Sequence, residues 1–507
     1  MPQVLQRSKI TLKKLCLASI SLNLDTLWCR RFLDHYAGTA HFMYVIGPFD
    51  QLPSCLIQEI WIYLKQRKMI RKHHIYLLIS PYTRTMDLSH CEADLGLMLL
   101  LTSQRCFQLQ QLDLSYNRLP RDQLSTALPI FTCLTSVSLA HTSITDPLLS
   151  ILGLYCSKLT TLDLSYCTQV SDNGLSSLIV PQDSAGDPDQ RFGQCQLLTK
   201  LLLAGSQNIS HKSVLVAVLH LRHLVALDFH DSVGVVEELV LQGRLDRKLL
   251  LRSLYSMESS SSDSLSLAVS VCSKVEYVYI VTSDTMDSTT LLGLLDLHQI
   301  REIHVRNELG QYCLPVRDNL GPVLEAHGET LVSINLAEVD QIDIELLCEV
   351  CHNLIHLVLL WNKSYLAPIP TKHAKPAKKK FFSKLLTVDI AYIEPDEENL
   401  FSEMCINQLC LILLSPGLTS LKISASRHLT DLVFSDILDE NRFQSLKHLE
   451  LTRCNEISFE GLEHFLISEN VLEEVKFVKC EEITKRDFQN YQKTVKKRKW
   501  NVKVEWS

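Results

Sequence analysis

No stretch of the 507-residue chain strings together the roughly 18–20 apolar residues of a membrane-spanning helix, so no membrane partner is expected. Charge of one sign is not in excess. The net charge is -7 with 21% charged residues, which calls for neither a nucleic acid nor an acidic small-molecule substrate. Catalytic signatures are missing too. There is no GxSxG, HExxH, phosphate-binding Walker loop or dinucleotide fingerprint, and the 19 histidines are dispersed. The expectation is a protein without catalytic chemistry, cofactor or metal. The N-terminal "KKLCLASISL" mimics the apolar core of a signal peptide, but no small-residue cleavage site follows. Cysteine is plentiful instead. There are 17, an odd number and scattered, which suits buried reduced thiols in a cytoplasmic or nuclear protein better than a disulfide framework.

One cysteine pair poses a puzzle. Cys348 and Cys351 precede His352 in "LLCEVCHNLIHLVLL", the CxxCH spacing that attaches a c-type haem. The wider pattern dissolves it. An LxxLxL motif recurs with its centre at Met86, Leu112, Val137, Leu162, Leu201, Leu227, Val278, Ile303, Ile334, Leu357, Val388, Leu421, Leu449 and Val475, most often every 25 or 26 residues. A blurred copy lies around Leu251 and Leu254, and "WNVKVEW" reads as a last strand around Val502. Cys106, Cys156, Cys195, Cys272 and Cys351 all lie six residues before a centre. Cys91, Cys167, Cys454 and Cys480 lie five after one, a position that Asn117 and Asn362 share. Cys351 is therefore a recurring core position, and the thiols form a structural ladder.

Between strands the repeats read as helices. In "SITDPLLSILGLYC", Asp146 is placed to cap, Pro147 suits the first turn, and Leu148, Ile151 and Leu152 form an apolar stripe. No strand–helix unit buries its apolar side alone, but stacking does so. The expected fold is α/β: a curved leucine-rich-repeat solenoid with a concave parallel sheet and convex helices. Residues 81–507 would hold about 15 repeats, with insertions near 181–193, 256–266 and 365–380, and residues 1–80 would form a separate helical segment. The basic run inside the last insertion reads as a solvated loop or a nuclear localisation signal.

The cysteine-containing pattern of "LTTLDLSYCTQVSDNGLSSL" and "LKHLELTRCNEISFEGLEHF" resembles the repeats of F-box leucine-rich proteins and other ubiquitin-ligase receptors. Upstream, Thr11, Leu12, Cys16 and Ile20 spell [ST]LxxxCxxxI, with Leu15 broadening the helical face. This resembles the BC box by which substrate receptors dock on elongin C. Leu52-Pro53 followed by Leu56, Ile57 and Ile60 resembles the cullin box of cullin-2 receptors. The order of BC box, LP-helix and repeats is similar to PRAME-type and Zyg-type receptors. The resemblance implies elongin C, elongin B and cullin-2 as partners of a ubiquitin-ligase substrate receptor. Two other readings of the segment stay open: an F-box binding Skp1 and cullin-1, or a cap on the solenoid. Two further classes compete, an inhibitor of the ribonuclease-inhibitor kind and a secreted repeat receptor.

For the target, the exposed strand positions matter. Residues one and three after each centre should face solvent. Trp361, Tyr392, Lys422, Arg453 and Lys476 are the expected target-binding set, since exposed aromatic and basic residues are the usual interface anchors.

Overall fold

The computed structural model describes residues 12–30, 49, 51–67, 69–70, 74, 77–91, 95–180, 182–183, 191–192, 195–256, 262–282, 289–307, 314–367, 382–393, 403–468, 470–498, 500 and 502–507. Thr11 and most of the three insertions lie outside them. The chain divides into two compact units at Leu251/Arg252. The described part of the helical segment before residue 80 belongs to the same unit as the first repeats.

In the first unit six strands form one parallel sheet: β1 Thr85–Asp87, β2 Gln111–Asp113, β3 Ser136–Ser138, β4 Thr161–Asp163, β5 Lys200–Leu202 and β6 Ala226–Asp228. In the second unit ten strands do the same: β7 Ser253–Ser256, β8 Tyr277–Thr282, β9 Glu302–Asn307, β10 Ser333–Ala337, β11 His356–Leu360, β12 Thr387–Ala391, β13 Ser420–Ser424, β14 His448–Thr452, β15 Glu474–Val478 and β16 Lys503–Trp506. Within each sheet the register pairs centre with centre, Met86 with Leu112 through Leu201 with Leu227 in the first, and Val278 with Ile303 through Leu449 with Val475 in the second. The blurred repeat resolves to Leu254 against Val278. The last strand departs from expectation. Val504, not Val502, pairs with Val475, a slip of two residues that keeps the same face inward.

Burial alternates as a half-buried strand requires. Centre and +2 residues such as Leu357 and Leu359 are buried, and their neighbours are not. This is the leucine-rich-repeat fold, parallel strands flanked by the helices that follow them.

The +5 ladder has a hydrogen-bonding cause. Asn117 Nδ2 donates to Leu88 O at 2.8 Å and Asn362 Nδ2 to Leu336 O at 3.0 Å, each reaching the preceding strand. Cys167 Sγ does the same to Leu139 O at 3.0 Å, Cys454 to Ile423 O at 3.5 Å and Cys480 to Leu451 O at 3.4 Å. A thiol is a weak donor, but it fills the small site and satisfies a buried carbonyl. Asn362, formally a glycosylation sequon, is fully buried in this role. Burial pushes the thiols of Cys156, Cys272, Cys351 and Cys454 up to about 12. At neutral pH they are inert.

Asp146 does not cap its own helix, Asp146–Tyr155. Its carboxylate accepts from Ser171 N at 2.9 Å and Ser171 Oγ at 2.6 Å, one repeat later. Asp431 holds Ser458 likewise, at 2.8 and 2.7 Å. The partner sits some 25 residues away, so local capping rules miss it. A Cβ on Gly174 would fall 2.3 Å from Asp146 Oδ1, which leaves that position to glycine.

Candidate functional site

The N-terminal helices come first. Helix α1 spans Leu12–Asn23 and runs into a π-helical turn, Leu24–Cys29. Of the expected docking face, Leu12 is 77% and Leu15 51% exposed, Cys16 is exposed, and Ile20 is half-buried. Leu22 is exposed as well. A helix showing this many leucines to solvent has an apolar face that the described residues leave uncovered.

Helix α2, Ser54–Gln66, behaves differently. Ile57 is 4% and Ile60 2% exposed, so both side chains face the chain's own core and not solvent. With Trp61 and Leu64 they form the helix's buried face, and Trp61 Nε1 donates to Asp87 O on β1 at 2.6 Å. Lys65 pairs with Asp87 beside it. The LP-helix thus covers the first strand, as the capping alternative proposed. Pro53 and Leu56 stay exposed and Leu52 is half-buried, so the outward part of the expected cullin-docking set remains accessible. The two faces of this one helix divide the motif between fold and surface.

The chain contains one set of donors that could hold a metal among the described residues. Asp25, Cys29 and His74 bring ligand atoms within 4.8 Å of one another. His74 Nε2 and Asp25 Oδ1 are 2.7 Å apart, a hydrogen bond that ties the π-helical turn to the segment ahead of the repeats.

The strand exits carry the surface features. At the +4 position the chain repeatedly turns through the left-handed region: His90, Tyr116, His141, Tyr166, Glu338, Trp361, Ala425, Arg453 and Lys479 all have φ between 50° and 58°. The turn lets each N–H extend the ladder one step, as Tyr166 N does to Ala204 O at 2.7 Å and Trp361 N to Ala391 O at 2.6 Å. In the first unit the side chains stack. Ring centroids of His90, Tyr116, His141 and Tyr166 follow at 4.2, 4.4 and 4.3 Å, nearly coplanar in orientation. Gly205, φ 65°, ends the series because Tyr166 lies over it. These rings spend their faces on one another.

In the second unit the series is interrupted. Trp361 is 48% exposed. Tyr392, expected on the target face, is not there: it stays out of the left-handed region, is 2% exposed, and sits edge-on to Tyr365 at 6.2 Å. Ala425 offers only a methyl. Arg453 and Lys479 then resume as exposed cations. The gap is a cleft of about 690 Å³ lined by Trp361, Lys363, Tyr392, Ala425, Arg453 and Lys479 among others. A smaller one of about 110 Å³ lies on the other flank of Trp361.

Lys422 and Lys476 do not join this cleft. Across β12–β15 the +1 positions alternate in charge. Lys422 lies 4.0 Å from Asp389 and 3.9 Å from Glu450, and Lys476 lies 2.6 Å from Glu450. The hydrogen bond to Glu450 raises the Lys476 pKa. These lysines are neutralised by acids one repeat away, a pairing that appears only when strands are laid in register. Of the expected set, Trp361 and Arg453 share the cleft as exposed groups and Tyr392 is its floor. Lys363 and Lys479 line it as well, outside the expected set, although Lys479 continues the +4 series visible in the sequence.

Fold and repeats place the chain in the leucine-rich-repeat class. A family model described as "Leucine Rich repeat" matches residues 155–178. No curated protein sequence matches the chain. Among solved structures, it is similar to a complex of Rad7 and Elc1 from yeast, with 13% identity, TM-score 0.47, and 95% of this chain and 96% of that one covered. An internalin of Listeria monocytogenes is similar at 16% identity and TM-score 0.36, with 76% and 88% covered. A leucine-rich-repeat protein of Leptospira interrogans follows at 12% and 0.37, with 86% and 92% covered. No described helix is long and apolar enough to cross a membrane.

Proposed function

We propose that this chain is the target-recognition subunit of a cullin-RING ubiquitin ligase, joined to elongin C through α1, and that it performs no chemistry itself. The observation that carries this reading is the uncovered row Leu12, Leu15 and Cys16 on α1. A soluble helix gains nothing from exposed leucines unless a partner covers them. Burying each contributes about 1.5–3 kcal/mol, and small Cys16 permits close approach. Cullin-2 would meet the outward part of the LP-helix, Pro53 and Leu56. The second reading, Skp1 with cullin-1, rests on the same LP-helix but leaves the α1 row without a role.

The test is co-purification with elongin B–C and, separately, with Skp1. Leu12→Asp/Leu15→Asp should abolish elongin binding without loss of helical circular dichroism, because both side chains are solvent-exposed. Skp1 in place of elongin, or an unchanged elongin yield from the double variant, would overturn the assignment.

A further inference from the structure

Asp25 and Cys29 sit four residues apart in the π-helical turn Leu24–Cys29 that continues α1. Arg30 N donates to Asp25 O, the i→i+5 bond that defines such a turn. The wide turn brings the two side chains to one side. π-Helical turns are rare and recur at functional sites. His74 arrives 49 residues after Asp25, just ahead of buried Leu77, Leu78 and Ile79 and then β1. A carboxylate oxygen, a thiol sulfur and an imidazole nitrogen thus lie within 4.8 Å of one another. Cys29 is 2% and His74 1% exposed, while the Asp25 side chain is 37% exposed. The donors are too far apart in the chain to form a motif, so neither the cysteine count nor the spacing of histidines reveals them.

We propose that Asp25, Cys29 and His74 hold a zinc ion that clasps the end of α1 to the lead-in of the first repeat. Each offers a donor the ion takes, thiolate, neutral imidazole or carboxylate, at metal distances of about 2.0–2.3 Å. In a tetrahedral site those lengths set the donors about 3.3–3.6 Å apart. His74 Nε2 and Asp25 Oδ1 are 2.7 Å apart around a shared proton, so the ion asks them to open by about 0.6 Å. Sulfur and nitrogen donors disfavour calcium and magnesium, which take oxygen ligands. On binding, the Cys29 thiol gives its proton to solvent and His74 carries its ring proton on Nδ1. The ion, one thiolate and one carboxylate then sum to zero charge, the state that burial favours. The fourth position goes to water or to a donor outside the described residues. Such a clasp is structural. It closes a long loop and fixes the direction in which α1 points, whether or not α1 meets elongin C.

The test uses the full-length protein, stripped with a chelator and reloaded with zinc or cobalt(II). A single equivalent of zinc should bind. Cobalt(II) should show the visible bands of a four-coordinate site and a near-ultraviolet thiolate charge-transfer band. Cys29→Ser keeps the residue's size and should abolish that charge-transfer band. Asp25→Asn keeps an oxygen that accepts from His74, so a site that is only a hydrogen bond would not register the change, and a zinc site should lose about tenfold or more in affinity. Zinc should slow hydrogen exchange in the peptide 12–30 of the wild type and leave it unchanged in His74→Gln. Cys55→Ser removes an exposed thiol elsewhere and should alter none of these readings. No bound equivalent, zinc affinity unchanged by both Asp25→Asn and Cys29→Ser, or loss of the zinc in Cys55→Ser would overturn the proposal.

Discussion

Gly205 is the residue at which the ring stack is most open to a measured perturbation. An added Cβ in Gly205→Ala would lie 2.4 Å from Cδ1 and 2.5 Å from Cε1 of Tyr166, at a φ of 65°. Two costs follow. Holding alanine in the left-handed region costs about 1–2 kcal/mol. Relieving the clash means either compressing a packed contact, about 1–3 kcal/mol, or swinging the ring into solvent. Tyr166 is half exposed, so the second route is open. It sacrifices one stacked contact with His141 at 4.3 Å, about 0.5–1.5 kcal/mol, and being cheaper it sets the steric share. The total is about 1.5–3.5 kcal/mol. In a Tyr166→Ala background only the backbone share should remain, giving a coupling of about 0.5–1.5 kcal/mol in the double-mutant cycle. Hydrogen exchange of peptides spanning 195–231 reads the local opening free energy and avoids a two-state assumption for a two-unit chain. Equal destabilisation in both backgrounds would refute the stacking account, and none in either would refute the left-handed one as well.

Three further outcomes are expected. Cys156, Cys351 and Cys454 should resist maleimide until the protein unfolds, whereas exposed Cys16 and Cys55 react at once. Because burial raises the buried thiols toward about 12, the folded state holds protons that the unfolded chain releases above about 9. The stability they contribute is therefore complete below pH 9 and lost as pH rises through that window. The urea midpoint should fall there, less steeply in Cys156→Ala, and a flat profile would count against burial. Ile60→Asp should unfold the N-terminal helices, costing about 3 kcal/mol or more, and should expose β1 to exchange. If it loses cullin-2 binding while β1 stays protected, Ile60 is a cullin-docking residue.

The repeat register was legible from Met86 to Leu227 and from Val278 to Val475, because a half-buried parallel strand enforces a period of two and within each sheet every centre meets the next. The cysteine and asparagine ladder was legible for a related reason, since one buried carbonyl per repeat asks for one small donor. What escaped the sequence depends on partners one repeat distant. The pairing of Lys422 and Lys476 with Glu450 needs the strands side by side. Ile57 and Ile60 fit both a docking helix and a cap, and only the position of β1 decides between them. Tyr392 occupies the same slot as Trp361 yet points inward, because its backbone avoids the left-handed turn. Gly205, in the slot that His90, Tyr116, His141 and Tyr166 hold in the preceding repeats, was the available sign that +4 is a left-handed position.

The fastening of each repeat has a temporal meaning. Asn117 reaches back to Leu88, Cys167 to Leu139, Ser171 to Asp146 and Ser458 to Asp431. In every case the earlier partner has left the ribosome first. A newly emerged strand and helix find their acceptors already in place, after closing a loop of only some tens of residues. Each unit can therefore be laid down course upon course during synthesis, N-terminal repeats first, with no strand kept waiting for a distant mate. A stalled or truncated chain would leave a shorter stack with one apolar end bare.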